Sequence, residues 1–381
     1  MSDMNPYAKL AADAVGGLSP YQPGMPPEEL EREYGVKNAI KLASNENPAA
    51  VPESVSDAMQ TALQNAGRYP DGGGFALREA LAAHLGVDAG QLTLGNGSND
   101  VLALLAETFL TEQTTAVYDQ YSFVVYRLAV QATGARALVA ASNPTDHEQP
   151  LGHDLDAIHA LVDETTRLVF IANPNNPTGT WVTSEQLYSF LKNLPAHVIA
   201  VVDEAYFEYA HGDGYPDTLS WLDEFPNLVL VRTFSKAYGL AALRVGYGIS
   251  APGIAELLNR VRQPFNVNSV AQAGAVAALA EQEWVASSRQ TNTAGLQRLR
   301  EGLERLGINS LPSRGNFLLA HIGPDAAKCN EFLLRNGVIV RPVANYGLPE
   351  YLRITVGTEV ELDRLLVCMS SYCESIVNND L

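Results

Sequence analysis

Lys236 closes the run Leu228-Val-Leu-Val-Arg-Thr-Phe-Ser-Lys236, where an apolar strand pattern breaks into a Thr/Ser turn, and Arg244 follows eight residues on. This is a fitting address for a lysine that forms a Schiff base. An amine attacks a carbonyl only when unprotonated, so such a lysine needs a cleft at a strand end and apolar or cationic surroundings that lower its pKa from about 10.4. The other lysines, Lys9, Lys37, Lys41, Lys192 and Lys328, lie in an N-terminal segment without periodicity, in short connections or in helical patterns, where a solvated charge is ordinary. Two more apolar runs end in chemistry-bearing residues: Arg167 to Ala172 breaks into Asn173-Pro-Asn-Asn176-Pro-Thr-Gly179, and Val198 to Val202 breaks on Asp203-Glu-Ala-Tyr206.

Continuous apolar strands of this kind are buried on both faces, which is the mark of a parallel sheet under helices. Leu187, Phe190, Leu191 and Leu194 supply one such helix behind a Thr183/Ser184 capping signal. Ligands of open α/β sheets bind at the carboxyl ends of the strands, so Asn176, Asp203, Tyr206 and Lys236 are expected in one crevice. Their chemistry is complementary. Pyridoxal phosphate requires a lysine for its aldehyde, a carboxylate for its ring nitrogen, donors to its phenolate oxygen and a phosphate cradle. Lys236, Asp203, Tyr206 with Asn176, and a Ser/Arg set meet those needs. The plain alternatives are a solvated lysine after a strand and an aspartate that caps the next turn.

The strings Asn173 to Gly179, Asp203-Glu-Ala-Tyr206, Thr233-Phe-Ser-Lys236 and Leu243-Arg244-Val-Gly-Tyr247 resemble the pyridoxal-phosphate aminotransferases of the aspartate-aminotransferase fold. Further strings point to the histidinol-phosphate branch: Pro20-Tyr-Gln-Pro-Gly24, Lys41 to Pro48, Arg68-Tyr-Pro-Asp71, Gly95-Asn-Gly-Ser98, Gly337 to Pro342 and Tyr351 to Thr358. The resemblance runs from about Pro20 to Thr358. It implies an α/β chain of fold type I, with a mostly parallel seven-stranded sheet between helices and a small α+β domain. It also implies that Lys236, Asp203 and Tyr206 are catalytic, and that Gly97, Ser98, Asn99, Thr233, Ser235 and Arg244 hold the phosphate. Tyr121 would stack on the coenzyme, Asn176 would bond its phenolate oxygen, and Tyr69 would reach the phosphate in the neighbouring subunit of a homodimer. Arg341 and Arg353 would grip the anionic end of the substrate, with Tyr21 and the Asn45-Glu46-Asn47 loop at its other end. The implied reaction exchanges an amino group between L-histidinol phosphate and 2-oxoglutarate. Related enzymes acting on phenylalanine or tyrosine share most of these strings. The family's usual Ala-Gly-Leu-Arg reads Ala241-Ala242-Leu243-Arg244 here, which places a methyl group where a glycine is expected.

Two other classes of function fit the residues less well. A dinucleotide fingerprint at Gly95-Asn-Gly97 fails because its third glycine position is Asp100. An inactive relative that only binds ligand is opposed by the presence of both Lys236 and Asp203.

The 381 residues carry 25 basic and 43 acidic side chains, a formal charge of −18, which opposes nucleic acid or anionic membrane as a partner. No apolar run approaches the ~20 residues of a membrane span, and the start of the chain lacks the basic and apolar regions of a signal peptide, so the cytoplasm is expected. Cys329, Cys368 and Cys373 form neither a disulfide framework nor a metal-binding pair. The sequence divides into an N-terminal arm at 1–34, read as extended from its proline-rich stretches, a large domain at 35–274 and a small domain at 275–381, in which Val338 to Arg341 reads as one strand.

Overall fold

The computed structural model describes residues 7, 10–20 and 23–379. Twelve strands among these residues are Ile40–Lys41 (β1), Leu92–Gly95 (β2), Thr115–Asp119 (β3), Arg136–Ala140 (β4), Thr166–Ala172 (β5), Ile199–Asp203 (β6), Leu228–Thr233 (β7), Gly246–Ser250 (β8), Phe317–His321 (β9), Val338–Ile339 (β10), Arg341–Pro342 (β11) and Tyr351–Thr355 (β12). Seven of them form one sheet in the order β2-β8-β7-β6-β5-β3-β4, in which β8 alone runs against its two neighbours. The mostly parallel sheet expected from the apolar runs is present. Alternation along the strands decides which layer each residue feeds. Val169, Ile171, Ala200, Val202 and Leu230 meet Val55, Leu77, Leu81, Leu187 and Ala275 on one face. On the other face Leu168, Phe170, Val201, Val229 and Val231 meet Val101, Leu105, Tyr126, Val130 and Leu258. The Thr183 signal is a complete capping box, with Gln186 bonding back to the Thr183 amide.

The C-terminal part is a three-stranded antiparallel sheet, β11-β12-β9, in which Arg341 is the direct partner of Arg353. The helices Gln282–Arg305, Ala326–Arg335 and Glu359–Asn379 cover it.

Two expectations need correction. The arm is not extended throughout, because Pro27–Tyr34 is a helix with Leu30 fully buried against Ala43, Leu334 and Ile339. Pro27 at its first position, Glu28 and Glu29 in its first turn and Gly35 in the left-handed conformation at its end are ordinary helix boundaries that the proline-rich flanks obscured. The expected strand Val338 to Arg341 is two short strands: β10 pairs in parallel with β1, and after Val340 the chain changes partner so that β11 joins β12. Lys41 therefore begins no strand of the large sheet. It ties the start of the chain to the C-terminal part.

Candidate active site

Strands β5, β6 and β7 end side by side, and the loops that leave them bring Asn176, Asp203, Tyr206, Thr233, Ser235 and Lys236 to one cavity of 190 Å³. Ser98, Asn99, Arg244, Asn45, Arg341 and Arg353 complete its wall, with Phe123 and Tyr346.

The Lys236 Nζ donates to the Ser44 carbonyl at 3.2 Å and lies 5.6 Å from the centre of the Tyr206 ring. Burial, helped by the Arg353 and Arg244 guanidiniums, pushes its pKa down to about 7. A large fraction of this amine is therefore unprotonated at neutral pH. Asp203 is 5% exposed. Its Oδ2 accepts from the Tyr126 hydroxyl at 2.8 Å and its Oδ1 from the Ala205 amide at 3.2 Å. Burial pushes this carboxyl up to about 6, against the pull of the Tyr126 bond. Tyr206 accepts from Asn45 Nδ2 at 2.8 Å, and burial pushes its phenol up to about 12, so it keeps its proton at neutral pH. Asn176 Oδ1 accepts from Arg353 Nη1 at 2.5 Å, and its Nδ2 has no acceptor among the described residues.

At the other end of the cavity the helix Ser98–Phe109 begins behind Gly97, whose φ is +80°. Any side chain at 97 would run into the Arg244 guanidinium. Glycine is needed both for that conformation and for the approach of the cation to the helix N-terminus. Arg244, itself left-handed at φ +57°, donates to Ser235 Oγ at 3.2 Å and to the Ala241 carbonyl at 3.0 Å, while Thr233 Oγ1 donates to Ser235 Oγ at 3.0 Å. Free helix amides, two hydroxyls and a guanidinium around a side-chain-free turn make a phosphate cradle. An acid that forms no ion pair among the described residues and an amine of lowered pKa stand beside that cradle. The donor set fits pyridoxal phosphate.

Some expected residues lie elsewhere. The Glu46 carboxylate pairs with Lys41 at 2.8 Å, and Asn47 Nδ2 bonds the Ala237 carbonyl and Ser288 Oγ, so neither side chain lines the cavity. Asn45 does line it. Tyr121 packs with Leu151, Leu319, Val343 and Leu348, whereas Phe123, two residues on, is on the wall. Tyr69 is 83% exposed and stacks on Phe265 at 4.8 Å, away from this chain's own cavity. Tyr21 is outside the described residues. Ala242 is exposed. The sequence reading missed Tyr126 and Thr355. Tyr126 bonds Asp203 from 77 residues away, and Thr355 holds Asn45 at both its amide and its side chain. No spacing rule links positions that meet only across a sheet. The one available hint was a hydroxyl on an otherwise apolar helix face.

The family profile for aminotransferase class I and II matches residues 37–368. A histidinol-phosphate aminotransferase of Pseudomonas fluorescens is 52% identical over 362 residues, covering 94% of this chain and 96% of its own length. The chain belongs to the histidinol-phosphate aminotransferase family. A second member, from Nitrosococcus oceani, is 49% identical over 368 residues, with 97% of this chain and 98% of the relative covered. Among solved structures, the histidinol-phosphate aminotransferase of Sinorhizobium meliloti in complex with pyridoxal-5'-phosphate superposes with a TM-score of 0.86 at 30% identity, over 99% of both chains. An aspartate aminotransferase of Thermus thermophilus shares the fold, with a TM-score of 0.81 at 22% identity over 95% of this chain and 99% of its own. Among the described residues, no helix of this aminotransferase is long and apolar enough to cross a membrane.

Proposed function

We propose that the protein uses pyridoxal phosphate to move the amino group of L-histidinol phosphate to 2-oxoglutarate, giving imidazole-acetol phosphate and glutamate, a step of histidine biosynthesis in the cytoplasm. One observation carries the substrate assignment. Arg341 and Arg353 are paired directly across β11 and β12, both are buried, and both line the cavity that holds Lys236. Two guanidiniums at one place on the cavity wall bring two positive charges to where the anionic end of a substrate would sit. A phosphate ester carries about two negative charges, so two guanidinium forks suit it, and the same forks suit the carboxylates of 2-oxoglutarate.

When bound, pyridoxal phosphate supplies an aldehyde for an amine and a ring that takes up an electron pair. Lys236 Nζ would be the amine that engages it, and the same nitrogen is placed to move a proton to and from the amino-bearing carbon of the substrate. Asp203 would hold the positive charge of the ring nitrogen. Asn176 Nδ2 and the Tyr206 hydroxyl would donate to the phenolate oxygen, and Asn45 and Thr355 keep Tyr206 in place. Gly97, Ser98, Asn99, Thr233, Ser235 and Arg244 would hold the phosphate. We further read the exposed Tyr69–Phe265 stack as part of a homodimer interface that brings Tyr69 to the partner's site. Kinetics with histidinol phosphate and phenylalanine side by side test the assignment. A higher kcat/KM for phenylalanine would move it to an aromatic amino acid aminotransferase.

A further inference from the structure

Tyr126 is fully buried in the helix Val124–Ala132, and its ring is held on several sides. It stacks on Phe170 at 4.8 Å and 12°, meets Phe123 edge-on at 6.0 Å and 88°, and lies at 6.5 Å from Tyr118. A phenylalanine would satisfy this packing without a polar atom to desolvate. The hydroxyl therefore needs another reason, and its acceptor is the Asp203 carboxylate. Burial and the neighbouring Asp203 charge hold the Tyr126 phenol well above its ordinary pKa, so it stays a donor and the proton in this bond has one direction. The other charged groups acting on Asp203 are Glu204 from its own strand end and Lys236 from the loop after β7, and Tyr206 and Tyr346 act on Tyr126.

We infer that Tyr126 is a positioning residue for the reaction: its hydroxyl ties off Oδ2 of Asp203, fixing the carboxylate in one orientation and keeping it ionised, with Oδ1 left for the coenzyme's ring nitrogen. This rests on the reading of the cavity as a pyridoxal-phosphate site. Oδ1 has only the 3.2 Å bond from Ala205, so it keeps acceptor capacity, whereas Oδ2 faces a short, charge-assisted bond. Without the phenol, burial is opposed only by the weaker Ala205 amide bond and the Lys236 charge, and the carboxyl shifts toward its neutral form. A neutral acid cannot hold a protonated ring nitrogen.

The test is a double-mutant cycle of Tyr126→Phe and Asp203→Asn, since Tyr126→Phe keeps the ring and its packing. Coenzyme affinity is read by titrating the cofactor-free chain with pyridoxal phosphate, alongside the pH dependence of the bound coenzyme's absorbance and the kcat and KM for glutamate. Tyr126→Phe should weaken coenzyme binding roughly 10-fold and lower kcat by about 10- to 50-fold, with KM changed less than about 2-fold. In the Asp203→Asn background, Tyr126→Phe should change affinity and kcat by less than about 2-fold. Equal effects of Tyr126→Phe in both backgrounds, or an affinity and absorbance profile unchanged by Tyr126→Phe alone, overturn the inference. Coenzyme titration does not depend on the amino donor, so a failure of the histidinol phosphate assignment would leave this result readable.

Discussion

Asp203 and Glu204 are neighbours in sequence, and both are buried at the end of β6, yet they are matched in opposite ways. Glu204, fully buried, accepts from the Arg232 Nε at 2.8 Å and from the Thr218 hydroxyl at 2.5 Å, with the Arg232 Nη2 2.8 Å away in the ion pair, while the Arg232 guanidinium rests 3.6 Å from the centre of the Phe207 ring. Asp203 has a hydroxyl and an amide, and forms no ion pair among the described residues. A buried charge is costly unless matched. The chain supplies its own cation to the acid that holds the back of the sheet, and leaves the acid at the front to be matched by what enters the cavity. Mutations at the front should therefore reduce turnover with little loss of fold, and mutations at the back should reduce stability first.

The largest expected effect is at the front. Lys236→Ala removes both the anchoring amine and the proton carrier, so turnover should fall by at least about 10⁴-fold while the phosphate cradle still binds pyridoxal phosphate. Single-turnover assays and circular dichroism on the same preparation check this. Retention of more than a few per cent of activity would remove Lys236 from the mechanism. At the back, Glu204→Gln leaves Arg232 buried without its carboxylate and should cost on the order of 3 to 5 kcal/mol of stability. Urea denaturation gives the number, and folded protein below the transition should still bind coenzyme. A stability loss under about 1 kcal/mol would mean that Glu208, whose charge also acts on Arg232, replaces Glu204.

The same contrast separates the arginines. Arg232 is bound to Glu204 behind the cavity, whereas Arg353, which donates to the Asn176 side-chain oxygen and the Ala43 carbonyl, lines the cavity opposite Arg341. Arg341→Ala should lower kcat/KM for histidinol phosphate by roughly 30- to 150-fold, about 2 to 3 kcal/mol, and for phenylalanine much less, because a single carboxylate needs only one fork. Equal losses for both substrates would make Arg341 a structural charge.

The front of the sheet was largely legible in the sequence, and the reason is geometric. Asn176, Asp203 and Lys236 each follow an uninterrupted apolar run, and parallel strands of one sheet must deliver their carboxyl ends to one edge. Lys236, Asp203 and Tyr206 at one cavity then follow from strand order, whereas the Tyr126 bond to Asp203, made from a helix, does not. Less was legible where two parts of the chain meet. Nothing local in Asn45-Glu46-Asn47 says that Asn45 faces Tyr206 while Glu46 turns to Lys41 and Asn47 to Ser288, because the turn is set by contacts with Thr355 and Asn316, about 270 to 310 residues away. The β10–β11 break is of the same kind. An apolar run read as one strand changes partner because β1 and β12 compete for it, and neither competitor is visible from residues 338–341.

The smallest expected effect is also the most direct measure of the mismatch at Asp203. Its carboxyl is pushed up to about 6 in the folded chain, against an ordinary value near 3.8, so between these two values the folded state binds more protons than the unfolded one. Stability contributed by this group therefore falls as pH rises from about 4 to about 6, and above that the full cost remains, on the order of 2 to 3 kcal/mol. Asparagine at 203 cannot ionise and can still accept from Tyr126. The cofactor-free Asp203→Asn chain should accordingly be more stable than the cofactor-free wild type at pH 8, with the difference shrinking toward zero as pH approaches 4.5. Adding pyridoxal phosphate should reverse the order, because only the carboxylate gains a cation. Urea midpoints of both chains across this range, with and without coenzyme, give the comparison. A variant that is destabilised equally at pH 4.5 and pH 8 would show that Asp203 is matched within the chain after all, and the contrast with Glu204 would fall with it.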